Sequence, residues 1–129
     1  MTILLDTDVL IDCLRGTVAA QDWLRSHASD AFDVPGIVAM ELVVGSRNQD
    51  DLQHAQAFLS SFNILWPDAA DFALAYDLLI AHRLATALSI PDCLIAAMAL
   101  QRSARLFTFN TRHFRAIPTI DLQEPYLRA

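Results

Sequence analysis

The sequence predicts an α/β fold, a mostly parallel central sheet flanked by helices in three layers. Two observations predict it. Short apolar runs of strand character alternate with helical segments along the chain, and such alternation builds a parallel sheet covered by helices. With three Gly and five Pro in 129 residues there is no linker, repeat or low-complexity stretch, so residues 1–129 read as one domain.

Each element has a local reason. Ile3-Leu4-Leu5 is a short apolar run ending at Asp6 and reads as a buried strand. Asp8 is placed to cap a helix that carries Val9, Leu10, Ile11, Cys13 and Leu14 and stops at Gly16. A second helix is expected from about Val18 to His27, and a short strand from Phe32 to Val34. Ile37 to Val44 reads as a helix ending at Gly45, although its β-branched residues would also suit a strand. Asp50 to Phe62 is helical, with Leu52, Ala55, Phe58, Leu59 and Phe62 on one face. Ile64-Leu65-Trp66 is strand-like and Pro67 ends it.

Asp68 to Ala87 is expected as one long helix, apolar over most of its circumference. Such a helix is either central to a core or covered by a partner, here a second copy of the chain. Pro91 suits a first helical position and Asp92 a first turn; Cys93 to Ala104 continues as a buried helix. Leu106 to Phe109 is a strand, Thr111 to Arg115 a short turn or helix, and Ile120 to Leu122 a last strand. In such sheets, sites form beyond the carboxyl ends of the strands.

Composition narrows the chemistry. The formal charge is −6, and the nine basic residues are all Arg. The missing Lys excludes a Schiff base, a P-loop and a receiver-domain lysine. An acidic balance argues against a generic nucleic-acid coat. The charge is bipolar: residues 1–80 hold three Arg and twelve acids, a balance of −9, whereas residues 81–129 hold six Arg and three acids, a balance of +3. No apolar run suggests a membrane span, and the N-terminus does not read as a secretory signal. Cys13 and Cys93 lack metal spacing and read as free core thiols of a cytoplasmic protein. His27, His54 and His82 read as structural or solvated.

Three acids sit where acids are awkward. Asp6 ends a buried strand, Glu41 interrupts an apolar helix, and Asp92 stands at a helix start. Singly, Asp6 and Asp92 are ordinary caps or first-turn acids. Converging, three carboxylates would need a cation, and hard oxygen ligands without a His or Cys cluster suit Mg²⁺ or Mn²⁺. Asp8 and Asp12 share a helix face; Asp12 reads as solvated, and Asp8 as a cap or a group supporting the site. Thr7, Thr108, Asn110 and Thr111 are neutral oxygens near strand ends. Arg112, His113 and Arg115 form either a solvated turn or a phosphate-contacting patch. The run Ile3 to Asp8 also resembles the start of haloacid-dehalogenase phosphatases, but Val9-Leu10 follows where they carry Gly-Thr, and their basic residue, normally Lys, is missing.

Four segments together carry a different resemblance. Leu4-Leu5-Asp6-Thr7-Asp8-Val9-Leu10-Ile11, Met40-Glu41-Leu42-Val43-Val44-Gly45, Ile90-Pro91-Asp92-Cys93-Leu94-Ile95-Ala96-Ala97 and Thr108-Phe109-Asn110-Thr111-Arg112-His113-Phe114 stand in order across nearly the whole chain. In this the sequence resembles PIN-domain proteins, specifically VapC-type toxins of bacterial toxin–antitoxin pairs. The resemblance implies a PIN-like fold and a Mg²⁺- or Mn²⁺-dependent endoribonuclease. It implies Asp6, Glu41 and Asp92 as metal ligands, Asn110 as a further catalytic residue, a homodimer, and a small cognate antitoxin that blocks the site. Thr7, Asp8 and Thr108 would support the ligands, and Arg112, His113 and Arg115 would meet RNA. The family often carries a fourth acid at the position of Asn110 or of His113. Neither is acidic here, so one or two ions both stay open. Two other readings remain: a PIN-fold binding module of little or no activity, and an RNA-processing nuclease without an antitoxin.

Overall fold

The computed structural model describes residues 2–128. Five strands form one sheet: β1 (Ile3–Leu5), β2 (Phe32–Pro35), β3 (Asn63–Leu65), β4 (Arg105–Phe107) and β5 (Asp121–Gln123). Their order is β3-β2-β1-β4-β5, and every neighbouring pair is parallel. Among the described residues, seven helices connect them: α1 (Thr7–Arg15), α2 (Val18–Ser26), α3 (Gly36–Val44), α4 (Gln49–Leu59), α5 (Ala69–His82), α6 (Ile90–Gln101) and α7 (Thr111–Phe114). Among the described residues, no helix is long and apolar enough to cross a membrane.

The strand order has a reversal. From β1 the chain steps outward to β2 and β3, then crosses back to β4 on the other side of β1. Right-handed crossovers in opposite directions put helices on opposite faces of a sheet. They also open a crevice between β1 and β4 at their carboxyl ends. The inner strands are largely buried: Leu4, Leu5, Val34 and Leu106 have no exposed surface, as expected for the middle of a parallel sheet covered on both sides. Helix α6 is buried continuously from Cys93 to Ala99.

Several boundaries differ from the sequence expectation. Asp6, rather than Asp8, caps α1, accepting from the Thr7 N–H at 2.7 Å. Helix α4 stops at Leu59 instead of Phe62, because the Ser60 and Ser61 hydroxyls donate to the carbonyls of Ala57 and Phe58 and divert the last turn. Helix α5 ends at His82, not Ala87. Thr86 returns to the His82 carbonyl through both its N–H and its hydroxyl, and Leu88 then drops into the core with no exposed surface. Helix α6 starts at Ile90 and ends at Gln101, where the Arg102 guanidinium turns back to the Met98 carbonyl. Strand β4 ends at Phe107, but the Thr108 N–H still donates to the Gln123 carbonyl of β5. Cys13 and Cys93 are buried free thiols.

One buried charge had no sequence signal. Asp71 is fully buried on α5, and Arg102 meets it with two parallel bonds of 2.8 Å. The pair ties α5 to the end of α6, the two most closely packed helices of the fold.

Candidate active site

The crevice at the carboxyl ends of β1 and β4 is an open cleft of about 440 Å³. Asp6, Thr7, Asp8, Ile11, Glu41, Asp92, Phe109, Asn110 and Arg128 line it. It therefore draws together all four residues expected to act in catalysis, from four separate segments of the chain.

Asp6 is placed by β1, whose pairing with β4 continues as the Asp6 N–H donates to the Phe107 carbonyl at 3.0 Å. Its side chain is 6% exposed, with one oxygen accepting from Thr7 N–H and the other from the Thr108 hydroxyl at 2.7 Å. Burial pushes its pKa up to about 7, the neighbouring Asp8 charge adds to this, and the bonds from Thr108 and Thr7 oppose it.

Asp8 is the second residue of α1. Its Oδ2 accepts from the Phe109 N–H at 3.0 Å, while its Oδ1 is buried and has no partner among the described residues. Burial raises its pKa too, against the Phe109 bond. The sequence left Asp8 as a cap or a supporting group. In the structure it lines the cleft, which so carries four carboxylates although neither Asn110 nor His113 is acidic.

Glu41 is exposed on α3 and accepts from the Thr7 hydroxyl at 2.8 Å. This answers why a carboxylate can interrupt an apolar helix: it faces the cleft and solvent, not the core. Asp92 is the third residue of α6 and shares a reciprocal capping box with Ser89. Asn110 donates its backbone N–H to the Thr108 hydroxyl at 2.9 Å, so Thr108 links it to Asp6.

Among the described residues, no three His, Cys, Asp or Glu side chains already form a metal-holding group. The donor chemistry nevertheless fits a hard divalent cation. The lining acids offer carboxylate oxygens with no thiol or imidazole, and the orphaned Asp8 oxygen leaves acceptor capacity unused.

Arg112, His113 and Arg115 do not line the cleft. Arg112 and His113 lie on α7 with Arg115 just after it; the two Arg are exposed and His113 is half-buried. The basic residue that does line it is Arg128, which sequence reasoning missed. Its Nε and Nη2 donate to Asp12 at 3.0 and 3.2 Å, Nη2 also donates to the Asp8 carbonyl at 3.3 Å, and the guanidinium carbon sits 4.0 Å from the Phe109 ring centre. Asp12 is thus paired, not merely solvated, and the Tyr126 hydroxyl donates to it as well at 2.8 Å. Only the basic character of the chain's last third hinted at this, since Arg128 is far from Asp8 and Asp12 in sequence.

Comparison with known proteins gives a consistent answer. Residues 3–119 match the PIN domain family. Ribonuclease VapC10 of Mycobacterium tuberculosis is 33% identical over 113 residues, covering 87% of this chain and 85% of that protein. Ribonuclease VapC19 of the same organism is 34% identical over 129 residues, covering 95% of this chain and 98% of that protein. A chain of a toxin–antitoxin complex from Klebsiella pneumoniae superposes with a TM-score of 0.80 at 29% identity, covering 98% of this chain and 100% of its own length. A chain of DNA-bound VapBC from Salmonella typhimurium gives 0.84 at 22% identity, over 98% and 99%, and speaks to the fold alone. With sequence and fold matched over most of its length, the chain belongs to the PIN-domain family.

Proposed function

We propose that this protein is an endoribonuclease that hydrolyses RNA phosphodiester bonds, requires Mg²⁺ or Mn²⁺, and acts as the toxin of a toxin–antitoxin pair. The observation that carries this reading is the gathering of Asp6, Asp8, Glu41, Asp92 and Asn110 into one open cleft at the point where the strand order reverses. The ribonuclease names of its relatives and the toxin–antitoxin complex among its structural neighbours support the same reading.

In this proposal Asp6, Glu41 and Asp92 hold the cation. When bound, such an ion lowers the pKa of a water and stabilises a leaving oxygen at a phosphodiester. The protein's own groups do the placing. Thr108 and the Thr7 N–H fix both oxygens of Asp6, and the Thr7 hydroxyl holds Glu41 toward the cleft. Asn110 offers an amide to orient water or phosphate. Arg112, His113 and Arg115 would meet RNA outside the cleft rather than at the scissile bond. The partners proposed are a small cognate antitoxin protein and a second copy of this chain, in the cytoplasm.

The test is RNA cleavage by the wild-type chain with Mn²⁺, compared with Asp92→Asn, Glu41→Gln and a chelator. Loss of cleavage in all three, with unchanged circular dichroism, supports the reading. Cleavage undiminished in both variants overturns the site, and cleavage undiminished by the chelator overturns the metal.

A binding module without activity would follow from a missing fourth acid, but Asp8 supplies a fourth carboxylate to the cleft. Co-expression with the gene next to it separates the toxin reading from an RNA-processing nuclease: relief of growth arrest by a small neighbouring protein is expected of a toxin.

A further inference from the structure

Four carboxylates line the cleft, and a phosphodiester entering it brings another negative charge. Among the described residues, the one cationic side chain that lines the cleft is Arg128. We propose that Arg128 is a phosphate-contacting residue of this cleft, donating from its outer edge to the backbone of a bound single-stranded RNA. The inference rests on the ribonuclease reading and adds to it a substrate-binding group that lies outside the four matched segments.

Three features make Arg128 a built contact rather than a stray surface charge. Its plane is fixed, because Asp12 takes two bonds along one edge, the Asp8 carbonyl takes a third, and the Phe109 ring supports its face. Phe109 is itself held, since its N–H donates to Asp8 and the Tyr126 ring packs edge-on against it with centroids 5.1 Å apart. Finally, the bonds engage Nε and Nη2 only. Nη1, with two N–H groups, has no partner among the described residues, and the side chain keeps 47% of its surface exposed. A guanidinium offers five N–H donors in a rigid fork, so the protein orients three and leaves two for a ligand. Pairing with Asp12 offsets the long-range field of the charge. The contribution is therefore a directed, charge-assisted bond at short range.

The simpler role for these contacts is to fasten the segment from Tyr126 to Arg128 onto α1. That role and phosphate contact predict different salt dependence. Each phosphate neutralised on a single strand contributes about 0.7 to the slope of log affinity against log salt. A structural fastener contributes nothing to it.

The experiment titrates a fluorescein-labelled, mixed-sequence single-stranded RNA into the Asp92→Asn protein, which keeps the probe intact, at several salt concentrations. Adding Arg128→Gln should weaken binding roughly tenfold or more at low salt, the scale of one charge-assisted bond, and lower the slope by at most about 0.7, since Asp12 offsets part of the charge. Arg128→Lys should restore the slope while recovering only part of the affinity, because it keeps the charge but not the fork. Tyr126→Phe, which loosens the same segment without removing the cation, should leave the slope unchanged. Unchanged affinity and slope in Arg128→Gln would overturn the proposal. So would an equal loss of slope in Tyr126→Phe. Should Arg128→Gln prove misfolded by its melting temperature, the Lys and Phe variants decide alone. Absence of RNA cleavage by the wild-type chain overturns the ribonuclease reading instead, and the binding titration still judges Arg128.

Discussion

The hydroxyl of Thr108 donates to the carboxylate of Asp6 across 2.7 Å, joining the end of β1 to the residue just past β4. Thr108 is fully buried and also accepts from the Asn110 N–H. A single hydroxyl thus fixes the deepest acid of the cleft and the loop that carries Asn110. Thr108→Val keeps the shape and removes both bonds. It should cost about 1–3 kcal/mol in chemical denaturation, since a buried N–H and carboxylate oxygen lose their partner. Cleavage should fall as well, through misplacement of Asp6. An unchanged denaturation midpoint would show that the bond is idle.

Asp6 is held in the fold at the expense of stability. Its pKa, raised to about 7, means that the folded chain binds this proton more tightly than the unfolded one. The stabilisation from the protonated form is complete below about pH 4, the unfolded value, and is lost as pH rises toward 7. Asp6→Asn replaces the buried charge by an amide, whose nitrogen can donate to Thr108. In metal-free protein it should raise the melting temperature at pH 8 and do so much less at pH 5. A lower melting temperature at pH 8 would contradict the burial argument.

Asp71 and Arg102 behave in the opposite sense. The bonds from Arg102 hold the Asp71 carboxyl below its ordinary range despite burial. This contribution to stability is therefore complete above about pH 4 and is lost as acid protonates Asp71 within the fold. Asp71→Asn should destabilise by about 3 kcal/mol at pH 7, because it leaves a largely buried guanidinium short of its partner. The deficit against wild type should narrow on titration to pH 3. Equal deficits at both pH values would argue that packing, not charge, sets the cost.

The surface of α5 makes a prediction about assembly. Phe72, Tyr76 and Ile80 recur every four residues and are more than half exposed, and Leu84 follows them in the turn. Side chains so spaced share one face of a helix, and an exposed apolar face of this extent favours association. The proposed homodimer places this face between two copies. Ile80→Arg combined with Tyr76→Glu should convert a dimer to a monomer in light scattering while leaving the far-ultraviolet circular dichroism unchanged. A wild-type monomer at micromolar concentration would refute the dimer.

The order of strands and helices was legible because the signals are local. Ile3 to Leu5 and Leu106 to Phe107 are continuous apolar runs of strand length, and Pro91 and Gly16 act on their immediate neighbours. Glu41 was conspicuous for the same reason, as an acid among apolar residues. What escaped was long-range. Asp71 and Arg102 lie 31 positions apart on separate helices, and neither stands out until α5 packs on α6. Arg128 reaches Asp12 across 116 positions, with nothing in between to announce it. The early end of α5 also required knowing that Leu88 fills a place in the core. Asp8 was legible as a group supporting the site, because it follows Asp6 by two residues at a strand end; that it lines the cleft itself was not.

The central position of β1 has a consequence for synthesis. Residues 3–5 leave the ribosome about a hundred residues before their partners on one side, residues 105–107. Until that late strand emerges, Asp6 lacks its Thr108 donor, Asp8 lacks Phe109, and a third of the residues lining the cleft are missing. Pairings this distant in sequence form last and slowly. A nascent chain therefore has no assembled cleft until then, and translation that stalls before residue 107 releases fragments that lack Thr108, Phe109 and Asn110.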